Sequence, residues 1–312
     1  MTIQDLKDAD VIQQAIDKAK NDPVRPLVVI NCITYNHAPY IAQCLEGFVM
    51  QKTNFPFVAL VHDDASPDGT AEVLREYAEK YPDIIKPICD TINRYSDKSL
   101  DLIMNEWINA YEPKYIAMCE GDDYWIDPLK LQKQVDFMEA NPDYSLCFHN
   151  AFYLMYESRK VCIFVDKYCS DIDISVRDAI LNWTAPTASM LYRSKLFQGF
   201  PNELTRIYSG DYSLFLILFA RGKVRYIDQI MSVYRRVEKG ITSTVDMNFA
   251  YSEHIRFLES YDLFTKGRYN GIITERILFL KDLITYIDIR NNHKYHKLVL
   301  IIPFLLRKLI NK

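Results

Sequence analysis

The chain has 312 residues and a formal net charge of −4, with 49% hydrophobic and 25% charged residues. This is ordinary globular composition, which excludes a disordered tail, a collagen-like repeat and a small disulfide scaffold. The slightly acidic balance also excludes the strongly basic surface of a general nucleic-acid binder, so no nucleic-acid partner is expected.

The pattern after a leading helix within residues 4–20 alternates strands with helices. Apolar runs predict strands at 27–33, 57–61, 84–89 and 115–119. Helices are predicted to follow them after Pro39 and at 68–81, 99–111 and 128–142. This alternation of strands and helices is typical of βαβ units on a parallel sheet.

The second half of the chain begins with further strands and ends with helices alone. Strands are predicted at 145–154, 188–192, 224–227 and 230–234, with a helix at 211–221. Helices are then predicted at 247–266, 269–290 and 294–311. We therefore expect an N-terminal helix (1–23), an α/β domain (24–246) and a helical C-terminal appendage (247–312).

The seven cysteines are scattered and form no CxxC pair, which argues against a zinc knuckle. Their odd number and the apolar runs around several of them predict buried, reduced thiols. The charged N-terminus is unlike a signal peptide, and no apolar run reaches the ~20 residues that a spanning helix needs. These features predict a cytoplasmic protein.

Polar and acidic residues follow three of the predicted strands. They are Thr34-Tyr35-Asn36, then His62-Asp63-Asp64, then Glu120-Gly121-Asp122-Asp123. Because ligands of parallel α/β sheets bind at the carboxyl ends of strands, we expect these side chains on one rim. Short acidic segments are also common in turns, so a purely structural role as turn residues stays open for 120–123.

The glycine-rich phosphate-binding motifs GxGxxG and GxxxxGK[ST] are absent from the sequence. A bound phosphate would then need another source of positive charge. Carboxylates can supply it indirectly, because they hold Mg²⁺ or Mn²⁺, and these ions bridge to substrate phosphates.

Four segments in this order resemble family 2 glycosyltransferases across residues 26–245. They are VVINCITYN, ALVHDDASPDGT, YIAMCEGDDYWIDPLKLQKQV and SGDYSLFLILFARGKVRYIDQIMSVYRR. The resemblance implies the GT-A fold, a Rossmann-like, mostly parallel sheet flanked by helices. It also implies inverting transfer of a sugar from a nucleotide-diphosphate sugar, a UDP-sugar first, to a glycan or lipid-linked glycan acceptor in bacterial surface polysaccharide synthesis.

The same resemblance assigns roles to individual residues. The implied nucleotide-binding residues are Thr34, Tyr35, Asn36, Asp63, Asp64, Asn93, Lys98 and Asp122. Glu120-Gly121-Asp122 stands in the place of the family's Asp-x-Asp motif, which makes Asp122, with Glu120 and Asp123, the implied ligands of Mn²⁺ or Mg²⁺. Asp211 matches the catalytic base, although the residues alone would favour helix capping there.

One position departs from the family pattern. Relatives often carry a histidine after the Tyr-Arg of the last strand, and this chain has Val237 instead. Metal binding would then rest on Asp122 and the diphosphate. Arg235 or Arg236 could offset phosphate charge, and the alternative is a solvated arginine pair.

Several aromatic and histidine residues have weaker assignments. Trp183 is a candidate for stacking on the acceptor sugar or, equally, for core packing. Trp125 is expected to be buried beside the metal loop. His37, His62 and His149 have no metal-ligand spacing and are interpreted as locally hydrogen-bonded residues.

The C-terminal segment is basic and apolar. Residues 289–312 contain six Lys or Arg and no Asp or Glu. Such a helix can lie on an anionic membrane surface, which would make the protein peripheral at the inner face of the plasma membrane. A core-packed or oligomerising helix is the open alternative.

Two other functions remain open on the sequence. A nucleotidyltransferase also uses acidic metal ligands, but it would carry a basic, Gly-rich triphosphate loop where this chain has TYNHAP. A catalytically weak sugar- or nucleotide-binding protein on the same fold would accommodate the changes at Glu120 and Val237.

Overall fold

The structure is a computed structural model that describes residues 2–95, 99–182, 185–204, 209–237, 240 and 244–291. The described residues divide into two compact units. The first takes them from 1–174, 184–199 and 214–237, and the second from 175–183, 200–213 and 238–312. The division predicted at 23/24 and 246/247 stays a prediction.

The first unit is built on one large sheet. Its strands are β1 (Val28–Thr34), β2 (Phe57–Asp63), β3 (Ile85–Cys89), β4 (Tyr115–Met118), β5 (Tyr124–Trp125), β6 (Tyr144–Met155), β7 (Lys160–Ile163), β8 (Ile172–Asp173), β9 (Leu191–Arg193) and β10 (Lys223–Arg236). The order is β3-β2-β1-β4-β9-β6-β10-β5, with β7 on β6 and β8 on β10. The run β3-β2-β1-β4 is parallel, as is the long pair β6-β10, while β9 lies antiparallel to both its neighbours. The mixed α/β fold confirms the prediction from the sequence.

The helices follow the predicted alternation. They are α1 (Ala9–Lys20), α2 (Ile41–Val49), α3 (Thr70–Lys80), α4 (Ser99–Tyr111), α5 (Lys130–Ala140), α6 (Val176–Leu181), α7 (Gly210–Arg221), α8 (Met247–Phe264) and α9 (Asn270–Asn291). Helix α1 begins later than the sequence pattern indicates, because Asp8 at φ +59° separates it from a 3-10 turn at Ile3–Asp5. The helix predicted at 294–311 lies outside the described residues.

The core of the first unit lies around the parallel strands. Val28, Val29 and Ile30 of β1 are all fully buried, as expected of a strand that is covered on both faces. Helix α2 approaches β5 at Gly47, where a Cβ atom would lie only 2.9 Å from the backbone nitrogen of Trp125. This close approach fixes the segment that follows residues 120–123 against α2.

The cysteines follow the prediction in part. All seven are free. Cys32, Cys44, Cys119 and Cys147 are buried, as predicted, and Cys89 at the end of β3 is half-buried. Cys162 and Cys169 are exposed, because they lie on the peripheral strand β7 and the segment after it.

Two strand predictions need correction. The strands predicted at 224–227 and 230–234 are one strand, β10, whose pairing with β6 shifts register between Ile227 and Ile230. The strand predicted at 188–192 starts later, because residues 187–189 form a 3-10 turn.

The second unit is helical in its described part. Helix α8 is capped by Asp246, whose carboxylate accepts a hydrogen bond from the Phe249 N–H at 2.8 Å. Arg177 of α6 pairs with Glu275 of α9 at 2.6 Å. In the described parts of the chain, none of the helices combines the length and apolar character needed to cross a membrane.

Candidate active site

Three strand ends meet at the carboxyl edge of the parallel strands. Thr34 at the end of β1 pairs in register with Asp63 at the end of β2. On the other side of β1, the Gly121 N–H donates to the Ile33 carbonyl at 3.0 Å, so residues 120–123 continue beside β1. The structure therefore brings Thr34, Asp63 and the acidic loop (residues 120–123) to one rim, as the sequence predicts.

Asp63 and Asp64 are both buried at this rim. The hydroxyl and the N–H of Ser66 donate to Asp63, and the N–H of Ser66 lies 3.3 Å from Oδ2. Asp64 accepts the backbone N–H groups of Arg94 at 2.7 Å and Tyr95 at 3.2 Å. Burial raises the pKa of both carboxyl groups despite these hydrogen bonds.

The turn after β1 is open to solvent. Tyr35 is 43% exposed, and Asn36 adopts a left-handed conformation at φ +57°. The Asn36 N–H donates to the Ser66 hydroxyl at 2.8 Å, which ties this turn to the one after β2. Asn93 reaches the same region, since its amide donates to the Asp64 carbonyl at 3.1 Å.

A buried charge network lies beside this rim. Nε2 of His62 is 2.9 Å from Oδ2 of Asp90, and Arg94 donates to the same oxygen at 2.7 Å. Burial alone would raise the pKa of Asp90, but His62 and Arg94 hold it below its usual value. The Asp90 carboxylate therefore contacts both His62 at β2 and the Arg94 guanidinium within one buried cluster.

This network also contains a possible metal group. Among the residues that the structure describes, His62, Asp64 and Asp90 place one ligand atom each within 4.8 Å of one another. The sequence interpretation of His62 as merely local did not include this possibility. The Arg94 guanidinium already neutralises Asp90, so a cation here would compete with it.

The acidic loop presents its carboxylates unequally. Glu120 is exposed, and the Asp122 side chain is 18% exposed with Oδ2 3.8 Å from Nε2 of His37. Asp123 is 1% exposed, and its Oδ1 accepts the Arg235 N–H at 2.8 Å. Burial raises the pKa of Asp123 well above its usual value, and the charges of Asp122 and Glu120 add to the effect. The solvent-accessible carboxylates of the loop are thus Glu120 and Asp122.

Two thiols and close packing hold the backbone of the acidic loop in place. Cys44 and Cys119 both donate to the Glu120 carbonyl, at 3.5 and 3.6 Å. A Cβ atom on Gly121 would lie 2.5 Å from Oγ1 of Thr34, so a larger residue there would force the loop or Thr34 to move. Trp125 is buried as expected, and its indole N–H donates to the Ala188 carbonyl at 2.8 Å.

The two arginines at the end of β10 differ in solvent exposure. Arg235 is 4% exposed, so the solvated-pair interpretation is wrong for it. Its guanidinium donates to the Asp122 carbonyl and to Oε1 of Gln43. Arg236 is exposed and donates to the Tyr153 hydroxyl at 3.2 Å. The sequence offered no signal for Gln43, which occupies an exposed position on α2.

Four tyrosines form an aromatic surface next to this end of β10. We call Tyr40, Tyr153, Tyr156 and Tyr234 the tyrosine patch. The rings of Tyr40 and Tyr156 meet edge to face at 4.9 Å, and those of Tyr153 and Tyr234 stack at 5.6 Å. Tyr156 is 39% exposed, so part of the patch faces solvent. No motif or spacing in the sequence distinguishes these four tyrosines from the other tyrosines of the chain.

Asp211 belongs to the second unit, in the first turn of α7. Its Oδ1 accepts the Ser209 hydroxyl at 2.7 Å and the Tyr212 N–H at 2.8 Å. Burial lowers the pKa of the nearby His254 to about 4; the Arg276 charge adds to this effect and Asp211 opposes it. These hydrogen bonds orient the carboxylate, and its role as the base stays a prediction.

The remaining predicted residues are placed as follows. His149 is buried, with Nδ1 2.7 Å from the Asn150 carbonyl, which confirms a local hydrogen bond. Lys98, Trp183 and residues 292–312 lie outside the described residues.

Comparison with known proteins gives a consistent result. The family described as Glycosyl transferase family 2 matches residues 29–198. The protein Rv1520 of Mycobacterium tuberculosis, named as uncharacterized, is 32% identical over 229 residues, which are 73% of this chain and 62% of that protein. The chain thus spans less than two thirds of this relative. The putative teichuronic acid biosynthesis glycosyltransferase TuaG of Bacillus subtilis is 25% identical over 70% of this chain and 82% of its own length.

Solved structures with the same fold include TarS and a mannosyltransferase. TarS of S. aureus, residues 1–349 with UDP-GlcNAc, gives a TM-score of 0.59 at 18% identity and covers 80% of this chain and 71% of its own. The mannosyltransferase PcManGT of Pyrobaculum calidifontis, with GDP-Man and Mn²⁺, gives a TM-score of 0.53 at 15% identity and covers 96% of this chain and 94% of its own. At these identities the likeness shows the fold.

Proposed function

The chain belongs to glycosyl transferase family 2, and on that premise we propose that it transfers a sugar from a nucleotide-diphosphate sugar to a glycan acceptor, with inversion. The observation that carries this proposal is the meeting of Thr34, Asp63 and the acidic loop at one rim. In a parallel sheet this is where a ligand binds.

The proposed donor is a UDP-sugar. TarS is solved with UDP-GlcNAc and PcManGT with GDP-Man, so both of these neighbours bind nucleotide sugars. In this chain, Asp63 and Asp64 lie beside the open turn at Tyr35 and Asn36. We propose that this turn receives the nucleoside and that one of the two carboxyl groups contacts the base. Asn93 and Lys98 are proposed to contact the diphosphate or the sugar of the donor.

The proposed cofactor is Mn²⁺ or Mg²⁺, held by Asp122 with Glu120. These carboxylate oxygens reach solvent and are the ligand type that both ions prefer. Asp123 fits less well, because its carboxyl group is buried against the Arg235 backbone. When bound, the ion would stabilise the negative charge that develops on the leaving diphosphate.

Asp211 is the proposed catalytic base. A carboxylate that removes the proton from the acceptor hydroxyl during attack makes this hydroxyl a better nucleophile. The Asp211 carboxylate accepts hydrogen bonds from the Ser209 hydroxyl and the Tyr212 N–H, and a carboxylate held in a defined orientation supports this proposal. One base and one leaving group make a single displacement, which inverts the anomeric carbon.

The proposed acceptor is a glycan or lipid-linked glycan of a bacterial surface polysaccharide. The tyrosine patch supports this, because amphipathic aromatic rings combine an apolar body with a polar tip and suit sugar surfaces. Trp183 is proposed to stack on the acceptor sugar. Residues 289–312 are proposed to lie on the inner face of the plasma membrane, where a lipid-linked acceptor would be presented.

The membrane proposal has a direct test. Full-length protein and a form ending at residue 288 are mixed with anionic phosphatidylglycerol liposomes and sedimented. We expect the full-length protein alone to bind, and equal binding by both forms would contradict the proposal.

The donor proposal is tested by a thermal-shift screen of UDP, GDP, CDP and TDP, each with and without Mn²⁺. We expect UDP with Mn²⁺ to stabilise the protein most. No stabilisation by any of these nucleotides would contradict the proposal. Slow Mn²⁺-dependent hydrolysis of a bound UDP-sugar would then separate an enzyme from a protein that only binds sugars or nucleotides.

A further inference from the structure

Arg235 is a buried cation at the end of β10. The residue is 4% exposed, and its guanidinium lies over the ring of Tyr124 at 4.2 Å and that of Tyr40 at 5.4 Å. Tyr124 belongs to β5, which pairs with β10 through Val233. Aromatic faces attract a guanidinium, so the side chain is enclosed between two elements of the first unit.

The same residue binds two consecutive residues of the acidic loop. Its backbone N–H donates to the Asp123 carboxyl group at 2.8 Å, and its guanidinium donates to the Asp122 carbonyl. A second guanidinium nitrogen donates to Oε1 of Gln43 on α2. Arg235 therefore links the loop that carries Asp122 to both β10 and α2.

This arrangement constrains the loop more than a simple ion pair would. A guanidinium is planar and its N–H groups point in fixed directions, so binding Gln43 on one side fixes the direction offered to Asp122. A buried charge that loses its partners is costly, which resists movement of the loop carbonyl away from it. The Asp122 carboxylate is attached to the backbone that is held in this way.

We propose that Arg235, oriented by Gln43, is a positioning residue that holds the acidic loop in the conformation in which Asp122 meets the cation. The inference rests on the proposed function, because it takes Asp122 as the ligand of the metal. Neither Arg235 nor Gln43 contacts the ion in this account. Loss of a group that orients a metal ligand typically costs about 10–100-fold in metal affinity.

The test measures metal binding without turnover. The Mn²⁺ concentration that gives half of the UDP-dependent thermal shift is determined for the wild type, Arg235→Met, Arg235→Lys and Gln43→Ala. Arg75→Met is the matched control, because Arg75 is an exposed arginine of α3 that pairs only with its helix neighbour Glu72 in the described part of the chain, at 3.3 Å.

We expect Arg235→Met to raise the half-saturating Mn²⁺ concentration about 10–100-fold. Arg235→Lys should recover little of this loss, because an ammonium group cannot serve Asp122 and Gln43 in one plane. Gln43→Ala should raise the concentration several-fold, and Arg75→Met should leave it unchanged.

Two results would overturn the inference. One is a folded Arg235→Met protein with the wild-type half-saturating concentration, and the other is full recovery by Arg235→Lys, which would make charge alone sufficient. If Arg235→Met does not fold, an unchanged value for Gln43→Ala overturns it in the same way. A wild-type protein that UDP with Mn²⁺ fails to stabilise contradicts the proposed function itself, and the inference falls with it.

Discussion

Replacing Gly121 by alanine tests the geometry of the acidic loop directly. The new Cβ atom would lie 2.5 Å from Oγ1 and 2.6 Å from Cβ of Thr34, and 3.0 Å from Nδ1 of His37. Ordinary contacts between such atoms are about 3.5–4.0 Å, so the loop or the end of β1 must move by about 1 Å. Overpacking of this kind typically costs about 1–3 kcal/mol of stability.

The same displacement should impair function more than stability. A shift of about 1 Å in the groups that position a substrate can cost about 100-fold in rate. We therefore expect Gly121→Ala to remain folded, to melt a few degrees lower, and to lose most of its Mn²⁺-dependent UDP binding and sugar transfer. Differential scanning fluorimetry and a UDP-release assay measure the two effects.

The control for this variant is Gly271→Ala in helix α9. Nothing lies within 4 Å of a Cβ atom there, and alanine favours a helix over glycine by about 1 kcal/mol. We expect Gly271→Ala to be neutral or stabilising and fully active. Wild-type melting temperature and activity in Gly121→Ala would refute the close packing of the loop against Thr34.

Three further predictions follow from the charges. Asp211→Asn should keep UDP binding, because it leaves Thr34, Asp63 and Asp122 unchanged, and should lower transfer by about 100–10,000-fold, the range for loss of a general base. A transfer rate near that of the wild type would contradict the assignment. Asp90→Asn should lower the free energy of unfolding in urea by about 3–5 kcal/mol, because it leaves buried Arg94 and His62 without their carboxylate. The control Asp17→Asn alters an exposed pair with Lys20 at 3.7 Å and should cost less than about 1 kcal/mol. For His254, the folded pKa of about 4 lies below the unfolded value of 6.5, so the unfolded chain binds the proton first. Above pH 6.5 the protein therefore loses no stability through His254. As the pH falls from 6.5 towards 4, the free energy of unfolding falls by up to about 3 kcal/mol. Urea midpoints at pH 7 and 5 should therefore differ less in His254→Gln than in the wild type, and an equal difference would count against this pKa.

The parts of the fold that the sequence predicts well are those with a strong local pattern. The mainly apolar run of β1 favours a covered strand, and the helices after it show clear periodicity. The short strands β5, β7 and β8 were missed because two to four residues carry no period. Strand β10 was divided in two because its bulge interrupts the alternation.

The residues of the candidate site likewise differ in how well the sequence predicts them. Thr34, Asp63 and Asp122 follow strands that are adjacent in the sheet, so the rule for strand ends places them together. The burial of Arg235 could not be inferred in this way, since its contact with Gln43 joins residues 192 positions apart. The contact of His62 with Asp90 likewise depends on the neighbouring strand β3 and on Arg94.

Asp122 is proposed to support a metal-dependent nucleotide site at the rim. Isothermal titration of UDP into the wild type and Asp122→Asn, each with and without Mn²⁺, tests it most directly. We predict that Mn²⁺ strengthens UDP binding to the wild type by at least tenfold and has no effect in Asp122→Asn. Equal strengthening by Mn²⁺ in both proteins would contradict the claim.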